Sequence, residues 1–226
     1  AVADDLDLPV RRSTLWTAIR RNPTIALGGV LLALLVIMAV FAPWIAPTDP
    51  LKIAPVNRLR PPSERWWFGT DQFGRDLFSR TVYGARVSLI VGLSVAALSS
   101  LLGLALGLAC GYFRRVDGIV MRVMDGLMAI PGILLAVAML SLSKASVRTV
   151  VIAITIPEIP RVVRLVRAVV LSLREQPFVS GAVASGSRVP RILFRHILPN
   201  ATTPIIVQAT YIAASAVLIE AYLGFL

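Results

Sequence analysis

The sequence predicts an all-α protein that crosses a membrane several times, and three observations predict it. Of its 226 residues, 57% are hydrophobic and only 15% are charged, whereas soluble domains carry about 25% charged residues. The mean hydropathy of +0.79 implies more apolar surface than a soluble fold of this size could hide from water. The charges that exist sit in clusters between uncharged runs long enough to span a bilayer as helices.

Residues 1–23 carry Asp4, Asp5 and Asp7 ahead of Arg11, Arg12, Arg20 and Arg21. An acidic start does not suit a signal peptide, so this segment is expected to remain on the cytoplasmic side. Thr24 to Ala42 is 19 residues without charge, about 28 Å as a helix and enough to cross the hydrocarbon. With its flank it forms a first transmembrane helix over 24–46. Residues 47–86 form a polar external stretch, opening with Pro47-Thr48-Asp49-Pro50 and ending in an interfacial helix from Arg75 to Val87. Read by themselves, these residues fit a solvated linker as well as a functional loop. Residues 87–226 form the core. Val87 to Phe113 is a long or tilted second span, and Gly126 to Ser143 is a third, interrupted by Pro131-Gly132. A fourth runs from Thr149 to about Val170, kinked by Pro157 and Pro160, with Arg161, Arg164 and Arg167 towards one aqueous side. Ala201 to Ile219 is a fifth. The chain does not start with Met and stops within the apolar stretch Leu223-Gly224-Phe225-Leu226, so a sixth span is expected beyond it.

The formal charge of +11 does not indicate nucleic acid. The basic residues flank apolar runs, and there are only four Tyr to stack bases. Basic clusters in this position meet anionic lipid and orient the chain. Fourteen Lys and Arg residues fall on the side of the N-terminus against nine on the other, which places the N-terminus in the cytoplasm. Cys110 is the single cysteine and His196 the single histidine, so neither a disulfide within the chain nor a metal cluster of imidazoles can form. Neither Lys52 nor Lys144 lies in a phosphate-binding loop. No catalytic residues are assigned, and energy of nucleotide type must come from another chain.

Gly103, Gly107 and Gly111 recur every four residues in the second span. They leave one stripe free of side chains, suited either to close helix packing or to a flexible helix. Glu158 and Glu220 are the acids nearest to membrane depth, and each should face a cavity, a partner charge or water. Glu220 is read either as part of a translocation path or gate, or as a structural hydrogen-bonding group. Asp125 and the Pro131-Gly132 break are path candidates of the same kind, because a broken helix frees backbone groups that can line a pathway.

The polar region from about 171 to 200 reads as a helix-turn-helix. Pro177 suits the first turn of a short helix, and Gly186 suits its left-handed exit. Pro190 starts a second short helix and Pro199 ends it. Phe178 stands among the small residues Ser180, Gly181, Ala182, Ala184 and Ser185. That face fits a partner's groove, or equally an ordinary surface helix.

Phe178-Val179-Ser180-Gly181-Ala182-Val183-Ala184-Ser185-Gly186, followed after nine residues by His196-Ile197-Leu198-Pro199-Asn200, resembles the EAA loop of ABC-importer permeases. Gly186, Leu198 and Pro199 fall in register; Ser180 replaces the loop's Glu, Gly181 its first Ala, and His196 an Ile. Gly69-Thr70-Asp71-Gln72-Phe73-Gly74-Arg75-Asp76, Gly84-Ala85-Arg86-Val87-Ser88-Leu89 and Met124-Asp125-Gly126-Leu127-Met128-Ala129-Ile130-Pro131-Gly132 narrow the resemblance to the C-type subunit of dipeptide, oligopeptide and nickel importers. It covers roughly residues 15–226. It implies a type I ABC-importer permease fold with six spans in the inner membrane of a prokaryote, and Glu220 matches a Glu of that subfamily. It also implies a second, B-type permease subunit, two ATPase subunits that bind ATP and Mg²⁺, and an external substrate-binding protein; this chain itself would hold no cofactor. Phe178, Ser180, Gly181, Ala182, Gly186, Leu198 and Pro199 would then form the ATPase-docking loop. Without the resemblance, an ion-coupled secondary transporter or a membrane scaffold would account for the same composition.

Overall fold

A computed structural model describes residues 22–142 and 146–225. The basic cluster Arg11, Arg12, Arg20 and Arg21, Lys144 and the last residue, Leu226, lie outside them. Among the described residues the chain is helical, holds no strand, and has one isolated bridge between Thr70 and Asp76. It divides into two compact units, Ala1–Arg86 and Val87–Leu226.

In the first unit, α1 (Pro23–Val40) opens with a proline, whose missing N–H costs nothing there. Its apolar side chains are almost all exposed within this chain, Ala39 alone being buried. That is the expected state of a helix whose neighbours are lipid or another subunit. Phe41 ends α1, and a single turn, Ala42–Ile45, follows.

The 47–76 stretch folds on itself around the Gly-Thr-Asp-x-Phe-Gly-Arg-Asp sequence. Gly69 and Gly74 have φ of +75° and +73°, and a Cβ at Gly74 would strike the backbone of Ala54, so glycine is required there twice over. The Asp71 carboxylate accepts the Phe73 and Arg75 N–H groups at 2.8 and 2.9 Å, and the Arg75 and Arg80 guanidiniums at 2.7 and 2.5 Å. Asp76 accepts the Phe78 and Ser79 N–H groups at 3.2 and 3.1 Å. It thereby caps α2 (Leu77–Tyr112), 36 residues in one helix. The expected interfacial helix feeds directly into the second span as one helix.

Burial raises the Asp71 carboxyl, but its four hydrogen bonds outweigh that and hold it at about 2, against an ordinary 3.8. A depressed pKa contributes stability that is complete above the unfolded value and disappears as pH falls through the folded one. The loop should therefore keep its order from pH 7 to about 4 and lose it towards pH 2. Tryptophan fluorescence from Trp66 and Trp67 would follow this, and Asp71→Asn should flatten the transition. An unchanged acid transition in Asp71→Asn would remove Asp71 from its place at the centre of the loop.

The second unit holds the remainder of α2 with α3 (Arg114–Ala129), α4 (Gly132–Ser141), α5 (Val147–Arg174), α6 (Pro177–Ala184) and α7 (Val189–Phe225). The three glycines of α2 meet three valines of α5. A Cβ at Gly103 would collide with Val162, one at Gly107 would lie 2.6 Å from Val166, and one at Gly111 would lie 2.5 Å from Val170. Both sets repeat every four residues, so each valine enters the hollow of one missing side chain. The glycine stripe is a packing seam. Val91, Val95, Ile154, Ile192, Ile197 and Ile212 complete the core around it.

Arg161, Arg164, Arg167 and Arg174 of α5 have partners. Arg167 holds both oxygens of Asp117 on α3, one at 2.7 Å, and Arg164 meets Asp125 on α3 at 2.6 Å. At the far end, Arg174 donates to the Gly111 and Tyr112 carbonyls at 3.1 and 3.3 Å and lies over the Tyr112 ring. A cation there answers the unpaired carbonyls and the dipole of the α2 C-terminus.

By length and composition α1, α2 and α7 can each cross a membrane, and α3 with α4 can form a fourth span bent by 81°. The fourth predicted span, α5, is 28 residues long but too charged to qualify on composition alone. The second helix of the expected helix-turn-helix is not a separate element. Pro190 does sit in its first turn, yet Pro199 ends nothing. Ile192–Ile197 winds as a π-helical segment, whose wider turn accommodates a ring that would clash with the preceding turn of an α-helix. The Asn200 side-chain amide donates to the His196 carbonyl at 2.7 Å, and the helix continues to Phe225.

Candidate functional site

Two sets of predicted residues are positioned by the second unit. The first is α6. Pro177 occupies its first turn and Gln176, extended at φ −74° and ψ 143°, leads into it. At the exit Gly186 has φ +74°. Its N–H bonds the Val183 carbonyl at 2.9 Å and the Ser187 N–H bonds the Ala182 carbonyl at 3.1 Å, a Schellman pair that closes the helix. Such an exit admits glycine with little competition, because a Cβ would be strained at that φ.

The side chain that seats α6 is Val179, 3% exposed and packed in the core that includes Ile192 and Ile197. Sequence reasoning passed over it in favour of Phe178. With Val179 turned in, Phe178 is 43% exposed. Ser180 and Gly181 are exposed beside it, and a Cβ at Gly181 would find nothing within 4 Å. Phe178 and Gly181, three residues apart, therefore share an open face on which another backbone could come close. Ala182 differs from expectation, being half-buried against the core. Leu198 packs against the core and Pro199 is exposed. These two lie in α7, not on α6 itself.

The second set lies at the α3–α4 break. Pro131 and Gly132 form it, as the Pro-Gly pair predicts, and a Cβ at Gly132 would lie 3.1 Å from Pro157 of α5. A cavity of about 380 Å³ opens beside the break, lined by Leu127, Met128, Ile133, Ile154, Glu158 and Arg161 among others. Glu158 is 3% exposed. One of its oxygens accepts from Arg161 at 2.8 Å, and the other is buried without a hydrogen-bond partner. Asp125, exposed and held by Arg164, and Glu220 do not line this cavity. Glu220 accepts the Ser88 hydroxyl at 2.9 Å, joining α2 to α7 close to where Val217 and Ala213 pack on Gly92. Glu158, with a cavity and a partner charge, meets the condition set for the deep acids, whereas Glu220 meets a hydroxyl in place of a partner charge or that cavity.

Residues 99–226 match the family described as the binding-protein-dependent transport system inner membrane component. Residues 12–62 match the N-terminal transmembrane domain of oligopeptide transport permease C. The chain is 49% identical over 217 residues to a probable peptide ABC transporter permease of Sinorhizobium fredii, covering 96% of this chain and 74% of that protein. It is 43% identical to a dipeptide transport system permease of Alkalihalophilus pseudofirmus, covering 92% and 69%. With the oligopeptide transport system permease of Bacillus subtilis the identity is 36%, over 92% and 68%.

Proposed function

Since the chain belongs to the binding-protein-dependent inner-membrane transport components, and within them to the C-type permease subunits of peptide ABC transporters, we propose that it forms half of a peptide translocation pathway driven by separate ATPase subunits. The observation that carries this is the open face of α6. A short helix, fixed at both ends and anchored by Val179, presents Phe178 beside a glycine that meets nothing in its own chain. An aromatic knob next to bare backbone suits insertion into a groove, where anchors of this kind dominate binding. The groove belongs to an ATPase subunit holding ATP and Mg²⁺, and closure of the ATPases moves α6 and, through Val179, the core behind it. Ser180 stands where the EAA loop it resembles has Glu. It is exposed near the helix N-terminus, where an acid is favoured, so docking here depends on shape and Ser180→Glu is tolerated.

A B-type permease subunit covers part of the exposed apolar surface, and an external binding protein delivers the substrate. Peptides are favoured over nickel chelates because the similar permeases carry peptide names. The N-terminus and α6 face the cytoplasm, and the Asp71 loop faces outward. A membrane-impermeant thiol reagent should therefore reach a cysteine at Ser63 in intact cells and one at Ser187 only after permeabilisation. Labelling of both from the same side contradicts this topology. Energy coupling is tested by reconstitution. The purified chain should hydrolyse no ATP, and the complete complex with loaded binding protein should hydrolyse ATP and take up peptide. Hydrolysis by the chain alone would overturn the proposal.

A further inference from the structure

We propose that the cavity at the α3–α4 break is a subsite for a primary ammonium group, the amino terminus of a peptide in transit, with Glu158 as its acceptor. This rests on the peptide-permease reading above. One carboxylate oxygen of Glu158 is buried and has no donor among the described residues. A buried acceptor left unanswered is costly, more so when it belongs to a charged group. Arg161 supplies only half of what the carboxylate can take, through the other oxygen. Apart from Arg161, which also lines the cavity and is engaged by that other oxygen, the end of α3 adds acceptors. Leu127 and Met128, in the last turn of α3, line the cavity, and carbonyls in a last helical turn have no partner within the helix. Pro157 of α5, which lines the cavity, has no N–H to offer it.

A carboxylate oxygen among carbonyls calls for a cation with several N–H donors, and an ammonium brings three. A hard metal ion wants more charged oxygens than one carboxylate supplies, and among the described residues no group of three His, Cys, Asp or Glu side chains comes together. The volume of about 380 Å³ suits the first residues of a small peptide, since ligand pockets begin near 300 Å³. The apolar walls from Leu127, Ile133 and Ile154 would receive its side chains. Both elements that shape the cavity, the α3–α4 break and α5, lie in the unit that carries α6.

The test uses the complete transporter in nanodiscs without binding protein. Saturation-transfer NMR reads contact with trialanine and with N-acetyl-trialanine, whose amino terminus is uncharged. Trialanine should bind, and Glu158→Gln should weaken it by about tenfold or more, the effect of one charge-assisted hydrogen bond. Glu158→Asp, which keeps the charge, should retain much of the signal. N-acetyl-trialanine should bind the wild type and Glu158→Gln alike, and weakly. The proposal is overturned by absence of trialanine contact, or by equal binding of the two peptides. Insensitivity to Glu158→Gln overturns it too, by assigning the unanswered oxygen to a basic side chain of the second permease subunit. ATP-driven uptake of trialanine with the binding protein present separates the two readings. Uptake without contact at this cavity sinks the subsite alone, and no uptake at all sinks the peptide reading with it.

Discussion

Gly107→Leu should prevent this chain from accumulating as a folded membrane protein, and Gly107→Ala should already weaken it measurably. A Cβ at Gly107 would lie 2.6 Å from Val166 and 3.0 Å from the Val163 carbonyl. Backbone cannot rotate away as a flexible side-chain tip can, so α5 would have to lift off α2. Gly103 and Gly111 share the same seam, and two rigid helices cannot separate at one point only. Overpacking of this kind costs about 1–3 kcal/mol or more. At about 2 kcal/mol the melting midpoint falls by roughly 4–8 °C in a chain of this size. Gly118 is the control, a glycine within α3 around which a Cβ meets nothing within 4 Å. Gly118→Ala should be neutral or stabilising, because alanine is the better helix former by about 0.5–1 kcal/mol. Thermal size-exclusion profiles in detergent would compare them. Equal midpoints for Gly107→Ala and Gly118→Ala would show that the stripe is not the seam.

The second large effect is loss of coupling without loss of fold. Phe178→Ala removes a half-exposed ring whose helix is seated by Val179, so stability should hardly change. Truncating a central aromatic anchor in an interface costs about 2 kcal/mol or more, roughly thirtyfold in affinity. Association with the ATPase should weaken by that factor, or the assembled complex should hydrolyse ATP without transporting. The structure also decides which small residue to enlarge. Tryptophan at Ala182 would press into the half-buried side of α6 and disturb its own seat. Gly181→Trp projects into open space and can block only a partner. It should therefore abolish uptake while leaving membrane insertion and melting unchanged. Normal uptake by both Phe178→Ala and Gly181→Trp would reduce α6 to a surface helix.

Much of this was legible in the sequence because the signals were local. A glycine every fourth residue marks a stripe free of side chains, which the valines of α5 then fill, and Pro131-Gly132 breaks a helix by its own stereochemistry. Pro177 and Gly186 mark the two ends of α6 for similar reasons. Longer-range features were not legible. Asp117 and Arg167 stand 50 residues apart and Asp125 and Arg164 stand 39 apart, so nothing in the spacing announced that α3 would neutralise α5. The inward turn of Val179 instead of Phe178 depends on where Ile192 and Ile197 lie, which only the fold decides. Pro199 misled because a proline normally ends a helix, and the π-helical segment that absorbs it carries no sequence signature of its own.

If α6 delivers the work of an ATPase to this chain, a photo-crosslinker in place of Phe178 reads that contact directly. Irradiation of the assembled complex should give a covalent adduct between this chain and an ATPase subunit, with a yield that changes when ATP is added. The same crosslinker in place of the buried Val179 should give none. Adducts with lipid alone, or no adduct at position 178 in a complex that still transports, would contradict the account.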